Sequence, residues 1–451
     1  MAPDSHPLNR LLTARGWTSE FYLRRVRTEY ISRGYGRGFA TRKEKVSRWT
    51  RQESPQVPTE PTQLAMAAVL GIAPREVQSR GWPNWLLLGL QEDDWLWELP
   101  WTGEGTIQAL DDDGGPVDRR GFLIASTGTV AAVAAQLATA RPASARTSGQ
   151  QIGVAVADRI DTRLAALRLL DDDLGADHVY DAARAEGRLI RRLLREKSYS
   201  EQTGRRLFAA ASESMRLAGW CAFDNGHTAA AERHFAAAMR AAGSAGNPTA
   251  SAVAAGFWAN VRYSGDHPDS GSAVDLVDRA LSRSGVVSPR VVTMLLIRRA
   301  RAHSIAGDAP AAYRAADAAL TVYERGGPAG EDLNTLYWVN AGEVFQAAGS
   351  AALSLGDPAR ALDYFSAAMT HPDPYDADKE PRGTAIYEAR RASAYLALGD
   401  VDGAVDTARH TVDLMGGVSS ARGTSTLSGL HAELTRHRSV PAVAHFLTET
   451  S

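Results

Sequence analysis

The chain has 451 residues, 44% of them hydrophobic, a formal net charge of −2 and one cysteine, Cys221. That is enough apolar length for two or three folded domains. A lone cysteine excludes an internal disulfide framework and a cysteine-rich metal site, and it fits a reducing, cytoplasmic compartment. The charge is unevenly placed. Residues 1–90 carry 14 Lys+Arg against 7 Asp+Glu, a net of +7, which leaves −9 for the remainder. A basic head on an acidic body implies an anionic partner for the head alone.

Residues 7–90 read as one all-helical unit. The opening residues, Met1 to Pro7, hold neither a basic region nor an apolar run, so no signal peptide is expected there. Leu8, Leu11 and Leu12 recur at helical spacing, and Gly16 ends that first helix. Thr18 or Ser19 caps a second, which carries Phe21, Leu23, Val26 and Tyr30. Arg33 to Gly38 form a glycine-rich basic loop. The stretch Thr41 to Arg51 then predicts a helix of three turns with Thr41 as its N-cap. Val46 and Trp49 are three apart and share its apolar face. Arg42, Lys43, Lys45, Arg48 and Arg51 face outward against Glu44 alone, which suits a polyanion. Pro55, Pro58 and Pro61 lead into a fourth helix, Thr62–Leu70, and Pro74 starts a short fifth that ends near Gly81.

Five of the ten tryptophans, Trp82, Trp85, Trp95, Trp97 and Trp101, fall in residues 82–101. They predict ordinary packing of a linker helix or, alternatively, a dimer contact. Residues 102–148 are poor in large apolar side chains and read as a partly disordered linker. Arg119-Arg120-Gly121-Phe122-Leu123 imitates an export motif. The run behind it is mostly Ala, Thr, Gly and Ser, so an alanine-rich linker or helix is expected and not a membrane span.

From Asp158 onward the pattern is helical, with a recurring mark: Asn225-Gly226, Gly265-Asp266, Gly307-Asp308, Gly356-Asp357 and Gly399-Asp400. Each glycine predicts a left-handed helix end, and each aspartate caps the next helix. Small residues flank the marks where paired helices must touch, as at Gly219, Ala231 and Ala238, or Gly349, Ala361 and Ala368. Phe235 and Phe365 fill a large position. Trp258 stands where the repeat around Gly265 should have a small residue. A unit of this size cannot bury its face alone, so the array must stack into a curved solenoid with a concave groove.

The head resembles the Cro-type (XRE) helix-turn-helix family, on Val46-Ser47-Arg48-Trp49, Glu53-Ser54-Pro55 and Leu64 to Ile72. It departs from that family in the Gly/Arg-rich insertion before the third helix. The body resembles tetratricopeptide (TPR) repeats, slightly long for that class. The whole chain is similar to actinobacterial XRE–TPR regulators, through Gly38 to Trp49, Ser200 to Phe208 and Arg438 to Val443. The expected fold is therefore all-α. A helix-turn-helix domain spans 1–90, a Trp-rich segment and linker 91–150, and a TPR-like solenoid 151–451.

The resemblance implies sequence-specific binding of double-stranded promoter DNA and transcriptional control, often of development or secondary metabolism. Arg42, Lys43, Glu44 and Arg48 would reach base edges or nearby phosphates, Arg33, Arg37 and Arg51 would contact phosphates, and Lys45 completes the basic set. Paired half-sites imply a homodimer. The groove would be lined by the first helix of each repeat. Counting back from the glycine marks places Glu213, Arg216, Trp220, Arg262, Arg301, Glu343 and Gln346 there, as a pocket for a peptide, small-molecule or protein effector.

No catalytic signature competes with this reading. There is no Gly-x-x-x-x-Gly-Lys-Ser/Thr loop, no His-Glu-x-x-His and no cysteine pair, so no enzyme, cofactor or metal is expected. The acidic runs Asp111–Asp113 and Asp171–Asp173 read as solvated turns, and Arg184 to Arg195 as a solvated helix face. The alternative function is a TPR scaffold that joins proteins and leaves DNA alone.

Overall fold

A computed structural model describes residues 6–14, 17–36, 38–51, 56–70, 74, 77–78, 81–87, 99–110, 127–136, 140–264, 268–286, 288–326, 334–374, 381–415 and 420–450. Among these there are twenty helices and no strand. Arg37, Glu53 to Pro55, Gly71, Ile72, Trp95, Trp97, Asp111–Asp113, the Arg119-Arg120 pair and the Gly265-Asp266 mark lie outside the described residues, as does most of the expected fifth helix.

The head contains α1 (Pro7–Ala14), α2 (Ser19–Ser32), α3 (Glu44–Trp49) and α4 (Glu60–Val69). Thr18 caps α2, its hydroxyl accepting from the Phe21 amide at 3.1 Å. Tyr22, and not Phe21, joins Leu23 and Val26 in the core. Pro61 sits in the first turn of α4, where no backbone donor is needed, so that helix starts at Glu60 and not at Thr62. Leu8, Leu11, Tyr22, Leu23, Val26, Met66 and Trp85 form one core, every one of them 1% exposed or less.

Helix α3 is shorter than expected, at six residues. Thr41 is not its cap. Lys43 holds that place in helical geometry without a side-chain cap bond. The carbonyls of Arg42 and Lys43 accept from the Lys45 and Val46 amides at 3.0 and 3.1 Å, so a tight turn replaces the expected first helical turn.

The segment expected as a linker belongs largely to the body. Helices α5 (Gly103–Ala109) and α6 (Thr127–Gln136) insert Ile107, Leu110, Val130 and Val133 into the body core beside Trp101. Arg240 donates from Nη1 to the Leu99 and Pro100 carbonyls at 2.9 and 3.3 Å and lies 4.7 Å from the Trp101 ring centroid. Trp85 is fully buried in the head, its indole donating to Gln63 at 2.9 Å. Trp85 and Trp101 thus serve their own cores and offer no ring to a second copy.

The body stacks seven helix pairs. They are α7 (Val154–Leu174) with α8 (Ala176–Glu196), α9 (Glu201–Asp224) with α10 (Thr228–Ala245), and α11 (Pro248–Ser264) with α12 (Ser270–Leu281). Then come α13 (Pro289–Ile305) with α14 (Ala309–Gly326), α15 (Ala341–Ser354) with α16 (Pro358–Thr370), α17 (Pro381–Ala397) with α18 (Val401–Met415), and α19 (Ala421–Thr435) with α20 (Pro441–Glu449). The glycine marks work as the pattern predicts. Gly226, Gly307, Gly356 and Gly399 have φ of 80, 80, 75 and 83°, and Asp308, Asp357 and Asp400 each accept from the amide three residues on. A Cβ on Gly219 would meet the Phe235 ring at 2.8 Å, and one on Gly349 the Phe365 ring at 2.7 Å. Small and large positions interlock within a pair. Trp258 is accommodated in full: it is wholly buried and donates to Glu232 at 3.1 Å.

Candidate functional site

Two places carry unpaired chemistry. The first is the outward face of α3. Val46 and Trp49 are buried, at 3% and 2% exposure, and fix the helix to the head core. Their burial leaves Arg42, Lys43, Glu44, Arg48 and Arg51 exposed. Lys45 is placed differently from its neighbours. Its ammonium lies 3.6 Å from the centroid of the Phe39 ring, half-buried, and burial followed by the nearby Arg48 charge lowers its pKa. It is a packing cation and is only partly available to a partner. Arg33 is exposed, 3.5 Å from Glu29. The connection between α2 and α3 is long, Arg33 to Lys43, where a helix-turn-helix has three or four residues.

The second is a cavity of about 450 Å³ inside the helical body, walled by the first helix of successive pairs. From α9 come Arg216, Trp220 and Phe223, from α11 Phe257, Asn260 and Tyr263, and from α13 Arg298 and Arg301. The 334–338 segment supplies Thr335, Tyr337 and Trp338, α15 supplies Glu343, α17 supplies Arg382, Ile386, Tyr387 and Arg390, and α19 supplies Arg422. Of the seven groove residues expected from the sequence, Arg216, Trp220, Arg301 and Glu343 line this cavity. Glu213 stands just behind the wall. Arg262 and Gln346 do not reach it. Arg262 turns into the interior, pairing with Glu232 at 2.9 Å and with Asp269. Gln346 is buried, its Oε1 without a hydrogen-bond partner among the described residues.

Charge is arranged in two groups. The first is fully compensated. Glu213 accepts from Arg168 at 2.8 Å, from Arg216 at 2.9 Å and from Thr335 at 2.8 Å. Burial alone would raise its pKa, but Arg216 and Arg168 hold it down at about 2. Arg382 bridges Asp171 and Asp224 at 3.0 Å each, and Arg422 donates to Asp224 at 2.8 Å. The acidic run at 171–173 is helical and no turn: Asp173 is exposed, but Asp171 is 3% exposed and meets an arginine 211 residues away. Asp172 accepts from the Tyr337 hydroxyl. Burial is the main cause that lifts its pKa to about 6. These ties join α7 and α9 to α17 and α19, so the helical body closes around the cavity.

The second group lacks counter-charge. Arg298, Arg301 and Arg390 have no carboxylate within ion-pair distance among the described residues. Arg298 donates to the Tyr263 hydroxyl at 3.4 Å and lies 5.3 Å from the Trp338 ring centroid, its Nε unpartnered. Arg301 and Arg390 both donate to Ser350, to its carbonyl at 2.6 Å and its hydroxyl at 3.0 Å. Burial, then the neighbouring Arg390, lowers the Arg301 pKa to about 10. The acid nearest this group is Glu343, which accepts from the Tyr387 hydroxyl at 2.9 and 2.8 Å. Burial pushes its pKa to about 7, against the pull of Arg298 and Tyr387.

Sequence reasoning missed Arg298, Arg382, Arg390 and Arg422. One signal was present. Glu343 stands thirteen residues before Gly356, and the same step back from Gly399 reaches Ile386, with Arg382 and Arg390 one turn to either side. Among the described residues no group of His, Cys, Asp and Glu is placed to hold a metal, and no helix is long and apolar enough to cross a membrane. Comparison with protein-family models and with curated proteins finds no match for this chain.

Proposed function

We propose that this chain is a sequence-specific DNA-binding transcriptional regulator of the XRE–TPR type, cytoplasmic and homodimeric, whose helical body receives an effector. The observation that carries the reading is α3. Its apolar pair is consumed by the head core, while Arg42, Lys43, Arg48 and Arg51 stand in solvent on a head of net charge +7. Such a surface suits a phosphate backbone, and Arg48 is the residue best placed on the helix to read guanine.

Mobility shift of genomic fragments by the full-length protein tests the reading. Arg48→Ala should cost ~1–3 kcal/mol of binding and relax sequence preference, whereas Arg51→Ala should weaken all sequences alike. Wild-type binding by both variants, or no binding by the parent, would leave the body as a protein scaffold. Two half-sites require two copies. Light scattering should therefore give twice the chain mass, and a strictly monomeric mass with and without DNA counts against pairing.

A further inference from the structure

We propose that the central cavity holds a small organic anion, its carboxylate or phosphate seated among Arg298, Arg301 and Arg390 and its planar apolar body against Trp220, Phe257 and Trp338. The proposal deepens the effector reading above, since it names the chemistry of the effector at the same site.

A guanidinium taken out of water without a counter-ion is expensive, and three in one place repel each other. Arg298 is 8% exposed and Arg301 9%. Neither forms an ion pair among the described residues, although carboxylates pair with Arg168, Arg216 and Arg382 in the wall of the same cavity. The chain therefore has the means to neutralise a buried arginine and does not use it here. One donor, Arg298 Nε, has no acceptor among the described residues. Guanidinium forks match the planar oxygens of a carboxylate or the oxygens of a phosphate, and they do so most strongly where water is excluded.

The other wall settles the rest of the ligand. Trp220 and Phe257 meet edge to face at 5.3 Å, and Phe257 and Trp338 likewise at 6.1 Å. Arg298 sits over the Trp338 end of this row and Arg422 over the Trp220 end, 4.4 Å from the ring centroid. Arg216 lies between them, 4.8 Å from the Phe257 centroid, and this row of rings flanked by cations accepts a flat body whose acid group reaches Arg298. A volume of about 450 Å³ is that of a small-molecule site.

The test uses the full-length protein without DNA, so its outcome is independent of the mobility shift. Three probes share one ring system: 2-naphthoate, 2-naphthyl phosphate and 2-naphthamide. Tryptophan fluorescence and thermal unfolding report binding. At least one of the two acids should bind at least about tenfold more tightly than the neutral amide. The better acid identifies carboxylate or phosphate as the natural group. Arg298→Met should abolish that preference, and thermal unfolding of the unliganded variant checks that the fold is kept. Equal affinity for acid and amide, an acid preference that survives in Arg298→Met, or no binding of either acid at millimolar concentration would each overturn the proposal. If Arg298→Met destabilises the free protein, Arg390→Met replaces it in the same comparison.

Discussion

Arg382→Met is expected to destabilise the protein by about 3–5 kcal/mol, because it leaves buried carboxylates without their counter-ion. Among the described residues Asp171 would keep only the Cys221 thiol, at 3.6 Å, and Asp224 only Arg422 and the Ser420 hydroxyl. The two acids are 3% and 0% exposed, so water cannot compensate. Urea unfolding measures the loss, and hydrogen exchange should show it first where α7 and α9 meet α17. Adding Asp171→Asn to the variant should recover part of the stability, since one orphaned charge is then gone. The tie also has a pH sense. Burial would raise the Asp224 pKa, but Arg422 and Arg382 depress it below its unfolded value. Its contribution is therefore full above the ordinary carboxylate range and is lost as the pH falls through the depressed value. A loss under about 1 kcal/mol in Arg382→Met would mean that the closure is a surface-like contact.

Glu343→Gln should act in the opposite direction. Glu343 ionises at 4.5 in an unperturbed chain and at about 7 in the fold, where burial is the largest cause. The folded state therefore binds the proton more tightly than the unfolded state. Stability from the neutral carboxyl is full below the unfolded pKa and is lost as the pH rises through about 7. Above that pH the charged carboxylate costs roughly 3 kcal/mol, which glutamine avoids while still accepting from Tyr387. The variant should be the more stable protein at about pH 8, and its advantage should shrink to under about 1 kcal/mol by about pH 5. It should also bind the naphthyl acids more tightly, since the one acid facing the three arginines has been neutralised. Equal or lower stability at the higher pH would show that ionised Glu343 is a net stabilising partner of Arg298.

The periodic features of this chain are legible in its sequence and the closing ones are not. Gly356-Asp357-Pro358 announces its own geometry because a left-handed end, a cap and a first-turn proline are local requirements. Val46 and Trp49 announce a buried face for the same reason. The start of α3 is misread because Thr41 can cap a helix but nothing local decides whether a helix or a tight turn carries Arg42 and Lys43. Residues 102–148 are misread because alanine and threonine look like a linker until Ile107, Leu110, Val130 and Val133 find a surface. The cavity charges are hardest. Hydrophobic periodicity sends every arginine outward, and only a partner distant in the chain turns Arg382 in. Its bonds to Asp224 and Asp171 span 158 and 211 residues, and no window of sequence contains both ends.

That separation has a meaning in time as well as in space. A chain emerging at ~5–20 residues per second needs roughly ten to thirty seconds to travel from Asp224 to Arg382. Until Arg382 and Arg422 are made, Asp171 and Asp224 lack the arginines that pair with them in the finished fold. The final helices of the body supply the far side of a cavity whose first wall was made roughly ten to thirty seconds earlier. The order of synthesis thus makes these ties among the last of the body's contacts to become possible.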